Sequence, residues 1–275
     1  MISFRDVLNG LKRLELDPQS QVILHGSLSA FGEVRGGAET ILGALTASVK
    51  GVMAPTFTYK VMIIPEVSPD NPPNNGIAYG SGSDLNRMAE FYRPDMPADS
   101  LMGVLAETLR RQPAARRSSH ALLSFAGVHV DEALEAQTIE EPLSPIAWMA
   151  DHNGWVLLMG VDHTSNTSIH YAEKLAGRRQ FVRWALTAQG VRECPGFPGC
   201  SDGFAAVTPL LEGSVRQVQV GEANLQALPL AALVSAVTQA IAADPLALLC
   251  SRPDCERCNA VRSAVLAPAD SGSQE

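Results

Sequence analysis

The sequence predicts an α/β fold, and three observations carry that expectation. Val22-Ile23-Leu24-His25, Gly51 to Tyr59 and Trp155-Val156-Leu157-Leu158-Met159 are short apolar runs of the length and composition of buried strands. Before and between them, Phe4 to Leu16, Ala38 to Val49 and Leu101 to Arg111 repeat their apolar residues at helical spacing. The third strand ends at Gly160 and delivers a polar loop followed by His170 and Glu173, which is how an open α/β sheet usually builds a site.

In chain order, the first helix is set by Phe4, Val7, Leu8, Leu11 and Leu14. The strand from Val22 to His25 runs into Gly26 to Gly37, a glycine- and serine-rich loop that opens the helix Ala38 to Val49. Strand, small-residue loop and helix form a frame for phosphate or amide ligands at the helix N-terminus. The loop lacks the Walker lysine and the dinucleotide glycine spacing, so neither nucleotide fingerprint is met, and a purely structural turn is the competing reading. The next strand, Gly51 to Tyr59, is interrupted at Pro55, where a ladder hydrogen bond is given up. Lys60 to Ser83, with Pro65, Pro69, Pro72 and Pro73, is long enough to be a lid or binding loop, or else a mobile surface insertion.

After Leu101 to Arg111, stopped at Pro113, come Arg116-Arg117-Ser118-Ser119-His120 and the apolar stretch Ala121 to Val130. Two arginines beside two serines suit a phosphate as well as a solvated face. Short helices are expected over Asp131 to Gln137 and Ile146 to Asp151. Beyond the strand Trp155 to Met159, Asn166 or Ser165 is placed to cap a helix on which His170 and Glu173, three apart, share a face. Gln180 to Leu186 reads as a strand with a turn at Gly190. Cys194 to Phe204 reads as irregular, Ser214 to Val220 as a strand and Leu225 to Ala242 as a helix. Residues 1–265 are expected to form a single domain, with a disordered tail over 266–275.

At 275 residues and 46% hydrophobic, the chain is expected to bury a sizeable core. No apolar run approaches the roughly 20 residues that span a bilayer, and Met1 to Asp6 opens without a charged-then-apolar leader. A soluble, cytoplasmic protein is expected, and Asn166-Thr167-Ser168 then has no use as a glycosylation acceptor. The net charge of −8 argues against nucleic acid and suits a cationic small molecule.

Cys250, Cys255 and Cys258 form a C-x4-C-x2-C cluster, to which Cys200, or Cys194 as its substitute, can add a fourth thiolate. Four such ligands make a structural zinc site; buried free thiols are the alternative. His163 and His170 lack the H-x-x-x-H spacing of a zinc hydrolase.

Several stretches, in order from about residue 20 to 210, resemble the aminoglycoside 3-N-acetyltransferase family. They are His25-Gly26-Ser27-Leu28-Ser29-Ala30-Phe31-Gly32 with Gly36-Gly37-Ala38, Pro55-Thr56-Phe57-Thr58, Arg117-Ser118-Ser119-His120 with Ser124-Phe125-Ala126-Gly127, Ser144-Pro145, and Leu158 through Glu173. The resemblance implies an α/β fold with a mixed central sheet flanked by helices, distinct from the common GNAT fold. It implies N-acetyl transfer from acetyl-coenzyme A to a cationic small-molecule amine. From the charge and the lack of a long apolar run, no nucleic acid or membrane partner is expected; a homodimer is expected.

In the family's Asn-Thr-x-x-His-x-x-Glu signature the histidine is the general base, which here is His170. Glu173 orients it or holds the substrate's ammonium, and Thr167 donates to the oxyanion. Ser27, Leu28, Ser29, Phe31, Gly32 and Val34, with Arg117, Ser119, His120, Ser124 and Phe125, are expected along the pantetheine and phosphate arm of coenzyme A. Ala121 replaces the family's proline, Cys200 to Phe204 stands where resistance enzymes carry an acidic stretch, and the cysteine cluster lies outside their pattern. These departures leave the acceptor open between an aminoglycoside and another amine. They also keep open a rival class, a zinc-stabilised binding module on an acyltransferase scaffold.

Overall fold

The computed structural model of the protein describes residues 1–68 and 75–266. Helix α1 (Phe4–Arg13) begins at a capping box in which Ser3 and Asp6 satisfy each other's backbone amides. Strand β1 (Gln21–Gly26) leads through a short 3-10 turn (Leu28–Phe31) and α2 (Gly37–Thr46) into β2 (Gly51–Pro55), where the proline takes the last position. Next come β3 (Met62–Ile63), α3 (Ser83–Met88), α4 (Gly103–Arg110), β4 (Arg116–Arg117), β5 (Phe125–Val128), α5 (Asp131–Glu135) and α6 (Ser144–Asp151). Strand β6 (Trp155–Met159) precedes α7 (Ser168–Leu175), and the chain continues through β7 (Phe181–Thr187) and β8 (Gly190–Phe197). It ends in β9 (Arg216–Val220), β10 (Ala223–Pro229), α8 (Leu230–Ala243) and α9 (Glu256–Leu266).

The central sheet has seven strands in the order β4-β5-β2-β1-β6-β10-β9 and is mixed. Strand β1 is parallel to both neighbours, with Ile23 opposite Met53 on one side and Val156 on the other; the remaining pairings are antiparallel. A second antiparallel sheet, β3-β7-β8, stands beside it.

Side chains alternate across the central sheet, as the pleat requires, and fill two cores. Ile23, Met53, Phe125, Val156 and Leu158 pack with Ile146, Ile169, Leu233 and Val237 from α6, α7 and α8. Val22, Leu24, Val52 and Leu157 pack on the opposite face with Val7, Leu11, Ile41, Leu45, Leu105 and Leu109 from α1, α2 and α4. Among the described residues no helix is long and apolar enough to cross a membrane.

The structure differs from the sequence-based reading in several places. The strand expected to reach Tyr59 ends at Pro55, where the ladder is given up, and Tyr59–Val61 is a 3-10 turn. The helix expected over Leu225 to Ala242 is β10 followed by α8, with the boundary at Pro229. Its nearly unbroken apolar run hides a change from strand to helical period. Part of the segment expected to be irregular, Cys194 to Phe197, continues β8 across a bulge, with Gly196 at φ +72°. Helix α9 went unrecognised because its cysteines and polar residues obscure an apolar face. It carries Leu266, which the expected tail included; residues 267–275, and Pro69, Pro72 and Pro73 of the proposed lid, lie outside the described residues.

Candidate active site

A cavity of about 1130 Å³ opens where β1, β2 and β6 end. From β1 the chain goes to β2 on one side, while β6 arrives on the other. Such a switch of direction leaves a crevice beyond the carboxyl ends of the strands, the usual ligand site of an open α/β sheet. The cavity is lined by Gly26 to Ser29 after β1, Pro55 and Phe57 after β2, and Val161, Thr164, Ser165, Thr167 and His170 after β6.

The loop after β6 is held by its own polar side chains. Asp162 accepts from the Thr164 amide at 2.9 Å, and Asn166 accepts from the Ser168 amide at 3.1 Å while donating to His163 Nδ1 at 3.3 Å. The helix cap is Thr167, without a side-chain hydrogen bond, in place of the expected Asn166 or Ser165. Thr167 lines the cavity.

One turn into α7, His170 Nδ1 lies 2.7 Å from Glu173 Oε2. A carboxylate only accepts, so Nδ1 carries the proton and Nε2 is left as the ring's lone-pair nitrogen. Glu173 Oε1 accepts from Arg178 Nη1 at 2.7 Å, and Arg178 also donates to the carbonyls of Pro245 and Ala247. Both Glu173 and Arg178 are buried. Arg178 was missed in the sequence, although Gly177 is a signal for it. With φ +76° it closes α7 in a Schellman turn, the Gly177 amide bonding the Lys174 carbonyl and the Arg178 amide the Glu173 carbonyl. That turn brings Arg178 back under the carboxylate.

The residues expected along the coenzyme A arm separate into two groups. Ser27, Leu28, Ser29, Gly32 and Val34 line the cavity, and the Ser27 and Ser29 hydroxyls meet at 2.9 Å. Phe31 points into the core under the sheet. The second group is placed elsewhere. Arg117 binds Ser124 Oγ, the Met96 carbonyl at 2.6 Å and the Thr56 carbonyl at 2.6 Å, pinning three loops together. His120 is buried and accepts from the Leu122 and Leu123 amides. Phe125 belongs to a core and Ser119 is exposed. None of these five lines the cavity.

Other lining residues were given no role at the site from the sequence. His25 is buried at the end of β1, and burial, reinforced by His163, pulls its pKa down to about 3. Burial raises the Tyr59 hydroxyl to about 12, so it stays a neutral donor. Arg183 and Arg257 lie on the same wall as Tyr59 and Phe197. Burial, with Arg257 next in effect, lowers Arg183 to about 10.

Beside this wall, the sulfurs of Cys200, Cys250, Cys255 and Cys258 all lie within 4.8 Å of one another, and all four residues are buried. Cys194 stands apart, its thiol directed at the Arg192 carbonyl and raised to about 11 by burial.

Against known proteins, residues 23–242 match the family described as Aminoglycoside 3-N-acetyltransferase. Aminoglycoside N(3)-acetyltransferase VII of Streptomyces paromomycinus is 34% identical over 178 residues, 60% of this chain and 58% of that protein. The chain thus matches about six tenths of the length of such curated relatives. The crystal structure of the apoenzyme of aminoglycoside acetyltransferase AAC(3)-IVa superposes with a TM-score of 0.76 at 21% identity, covering 96% of this chain and 98% of that one. The structure of AAC-IIIb, a binary complex with CoASH, superposes with a TM-score of 0.67 at 20% identity, covering 86% and 95%. These two likenesses establish the fold.

Proposed function

The chain belongs to the aminoglycoside 3-N-acetyltransferase family, and we propose that it transfers the acetyl group of acetyl-coenzyme A to an amine of a small-molecule acceptor. Aminoglycosides are the acceptor class that the relatives' names supply, and one solved relative is a complex with a gentamicin. The observation that carries the reading is the His170–Glu173–Arg178 chain of hydrogen bonds, whose imidazole end borders a cavity also lined by the Ser27–Ser29 loop.

The chemistry follows from the donors and acceptors in place. With Nδ1–H fixed on Glu173, His170 Nε2 takes the proton of the acceptor amine as its nitrogen bonds to the thioester carbon. Glu173 stabilises the imidazolium that forms, and Arg178 fixes the carboxylate. Thr167 supplies a hydroxyl for the oxyanion, a preorganised contact of the kind that commonly counts most. Collapse of the tetrahedral intermediate breaks the carbon–sulfur bond, and the departing thiolate takes up the proton held on His170, which restores the neutral imidazole. The cosubstrate's place is supported by the glycine-rich starts of α2 and α4: Gly37 and Gly103 line the cavity and neither helix has a side-chain cap. The amides of Gly37 and Gly103 themselves donate to the Val34 and Ser100 carbonyls, so it is the rest of each first turn, at the positive end of the helix dipole, that suits phosphate and amide oxygens.

We also propose that Cys200, Cys250, Cys255 and Cys258 hold a structural zinc ion. Zinc–sulfur bonds of about 2.3 Å set sulfur–sulfur edges of roughly 3.8 Å, so a small contraction of the present cluster makes a tetrahedral site.

Thiol release from acetyl-coenzyme A over a panel of amines, with metal analysis of the purified protein, tests both proposals. Release that His170→Ala lowers by about 10²–10⁴-fold, with acetyl-coenzyme A binding kept, is the expected result. Unchanged release in that variant refutes the base assignment. Stoichiometric zinc without release from any amine favours a binding module on this scaffold.

A further inference from the structure

The cavity is chemically divided. The Ser27–Ser29 loop and the starts of α2 and α4 form one part; Phe57, Tyr59, Phe197, Arg183 and Arg257 wall another. Neither of these arginines is paired with a carboxylate among the described residues. Arg183 is turned inward at the β7–β8 bulge, its guanidinium carbon 5.0 Å from the centre of the Phe197 ring, and it donates to the Asn75, Val182 and Gly76 carbonyls. Among the described residues, Arg257 donates through Nη1 alone, to the Gly199 carbonyl at 2.7 Å. A guanidinium has five N–H groups, so Arg257 keeps most of its donors for the cavity.

Among the described residues that line the cavity, no unpaired carboxylate is present to receive an ammonium. Asp202 is the acidic lining residue, and it already pairs with Arg252 at 3.0 Å. A polycationic acceptor would therefore bring its charges against two guanidinium groups and, among the described lining residues, meet only a carboxylate already paired with Arg252. The charge deficit on this wall is negative, and a ligand can supply it. The wall is also close to the reacting centre: a Cβ on Gly199, the residue that Arg257 grips, would lie 3.8 Å from Glu173 Oε2.

We propose that the acceptor is a small molecule whose reacting amine lies near an anionic group, a carboxylate or a phosphoryl group, and that Arg257 receives this group with Arg183 behind it. This rests on the acetyl-transfer reading above. It departs from the aminoglycoside class in the charge of the acceptor and keeps the same base and the same acyl donor.

The test uses matched amines in the thiol-release assay, tyramine against tyrosine and glucosamine against glucosamine 6-phosphate, with gentamicin as the polycation. It also uses inorganic phosphate as a probe, titrated calorimetrically into protein saturated with coenzyme A. The expected result is at least a tenfold preference in kcat/KM for the acidic member of one pair; which pair shows it separates carboxylate from phosphoryl. Arg257→Gln should raise the KM of that acceptor tenfold or more while the KM of acetyl-coenzyme A stays put, and Arg257→Lys should recover part of the loss. Phosphate should bind the coenzyme-saturated protein and bind at least tenfold more weakly to Arg257→Gln. Gentamicin as the best acceptor, a change confined to the KM of acetyl-coenzyme A, or phosphate binding indifferent to Arg257→Gln each overturns the proposal. Absence of thiol release from every amine sinks the acetyl-transfer reading instead, and the phosphate titration still decides whether the arginine wall binds anions.

Discussion

Glu173→Gln separates a base that is oriented from one that is merely present. The two carboxylate oxygens each accept one bond of 2.7 Å, Oε1 from Arg178 and Oε2 from His170. Glutamine keeps the shape and loses one acceptor. Arg178 has only donors to offer, so it claims the amide oxygen, and the amide nitrogen is turned toward His170 Nδ1. Nδ1 must then accept, the ring proton moves to Nε2, and the lone pair that faced the acceptor is gone. A positioned general base is worth about 10²–10⁴ in rate, or roughly 3–5 kcal/mol at 1.36 kcal/mol per decade. In steady-state thiol release, kcat should fall by that factor while the KM of acetyl-coenzyme A is kept. Stability should fall as well, because Arg178, with its side chain 3% exposed, loses its counter-charge. Removing one partner of a buried pair outright costs about 3–5 kcal/mol. Glutamine retains the hydrogen bond and should cost less than alanine, a drop of several degrees in Tm by either route. A kcat within about threefold of wild type, under 1 kcal/mol of barrier, would refute the tautomer argument.

Three further outcomes follow from the same geometry. His25 and His120, lowered to about 3 and about 4 chiefly by burial, stay neutral in the folded chain and take up protons on unfolding below pH 6.5. Stability is therefore fully present above that pH and declines as pH falls, by about 2 kcal/mol for each histidine at pH 5; urea titrations between pH 7 and 4.5 measure the slope, and His25→Asn should remove about half of this contribution. Gly160→Ala should destabilise by at least about 1–2 kcal/mol from its left-handed backbone alone, at φ +70°. The new Cβ would also collide with Ala30 Cβ, so the KM of acetyl-coenzyme A should rise; an unchanged Tm would contradict this. Chelation of the metal proposed at Cys200, Cys250, Cys255 and Cys258 should lower Tm and expose four thiols to a disulfide reagent; thiols equally reactive before and after chelation would count against a bound ion.

The parts of the fold legible in the sequence were those with a local cause. The strands Val22 to His25 and Trp155 to Met159 and the helix around Val7 and Leu11 show a clear period and a clear stop, and the structure has them. The pair His170 and Glu173 was legible because three residues on a helix set its geometry whatever surrounds it. Where period and composition part company, the sequence is silent. Leu225 to Val234 is apolar enough to be strand or helix throughout, and only pairing with β6 and β9 decides for a strand up to Pro229. The Arg117 to Phe125 stretch looked like a phosphate site because its residue types are those of one. Arg117 instead spends its donors on the carbonyls of Thr56 and Met96, a use that depends on loops far away in the chain.

The acceptor wall is the extreme case of such non-local determination. Arg183 comes from β7, Arg257 from α9 and Asp202 from the segment after β8, and nothing in any one of these stretches announces a shared cavity. Two of the three are chained to the cysteine cluster: Asp202 lies two residues after Cys200, and Arg257 directly before Cys258. The four sulfurs therefore fix where one positive and one neutralised side chain stand relative to His170. On the reading proposed above, a chain that keeps the His170–Glu173 pair can change acceptors by changing this wall alone, because the proposed base, the hydroxyl of Thr167 and the Ser27–Ser29 loop arrive on other elements. The base proposed on α7 and the acceptor contact proposed on α9 are separable for that reason. On that reading, the signature in the sequence speaks for the reaction, while the charge of the wall speaks for the substrate.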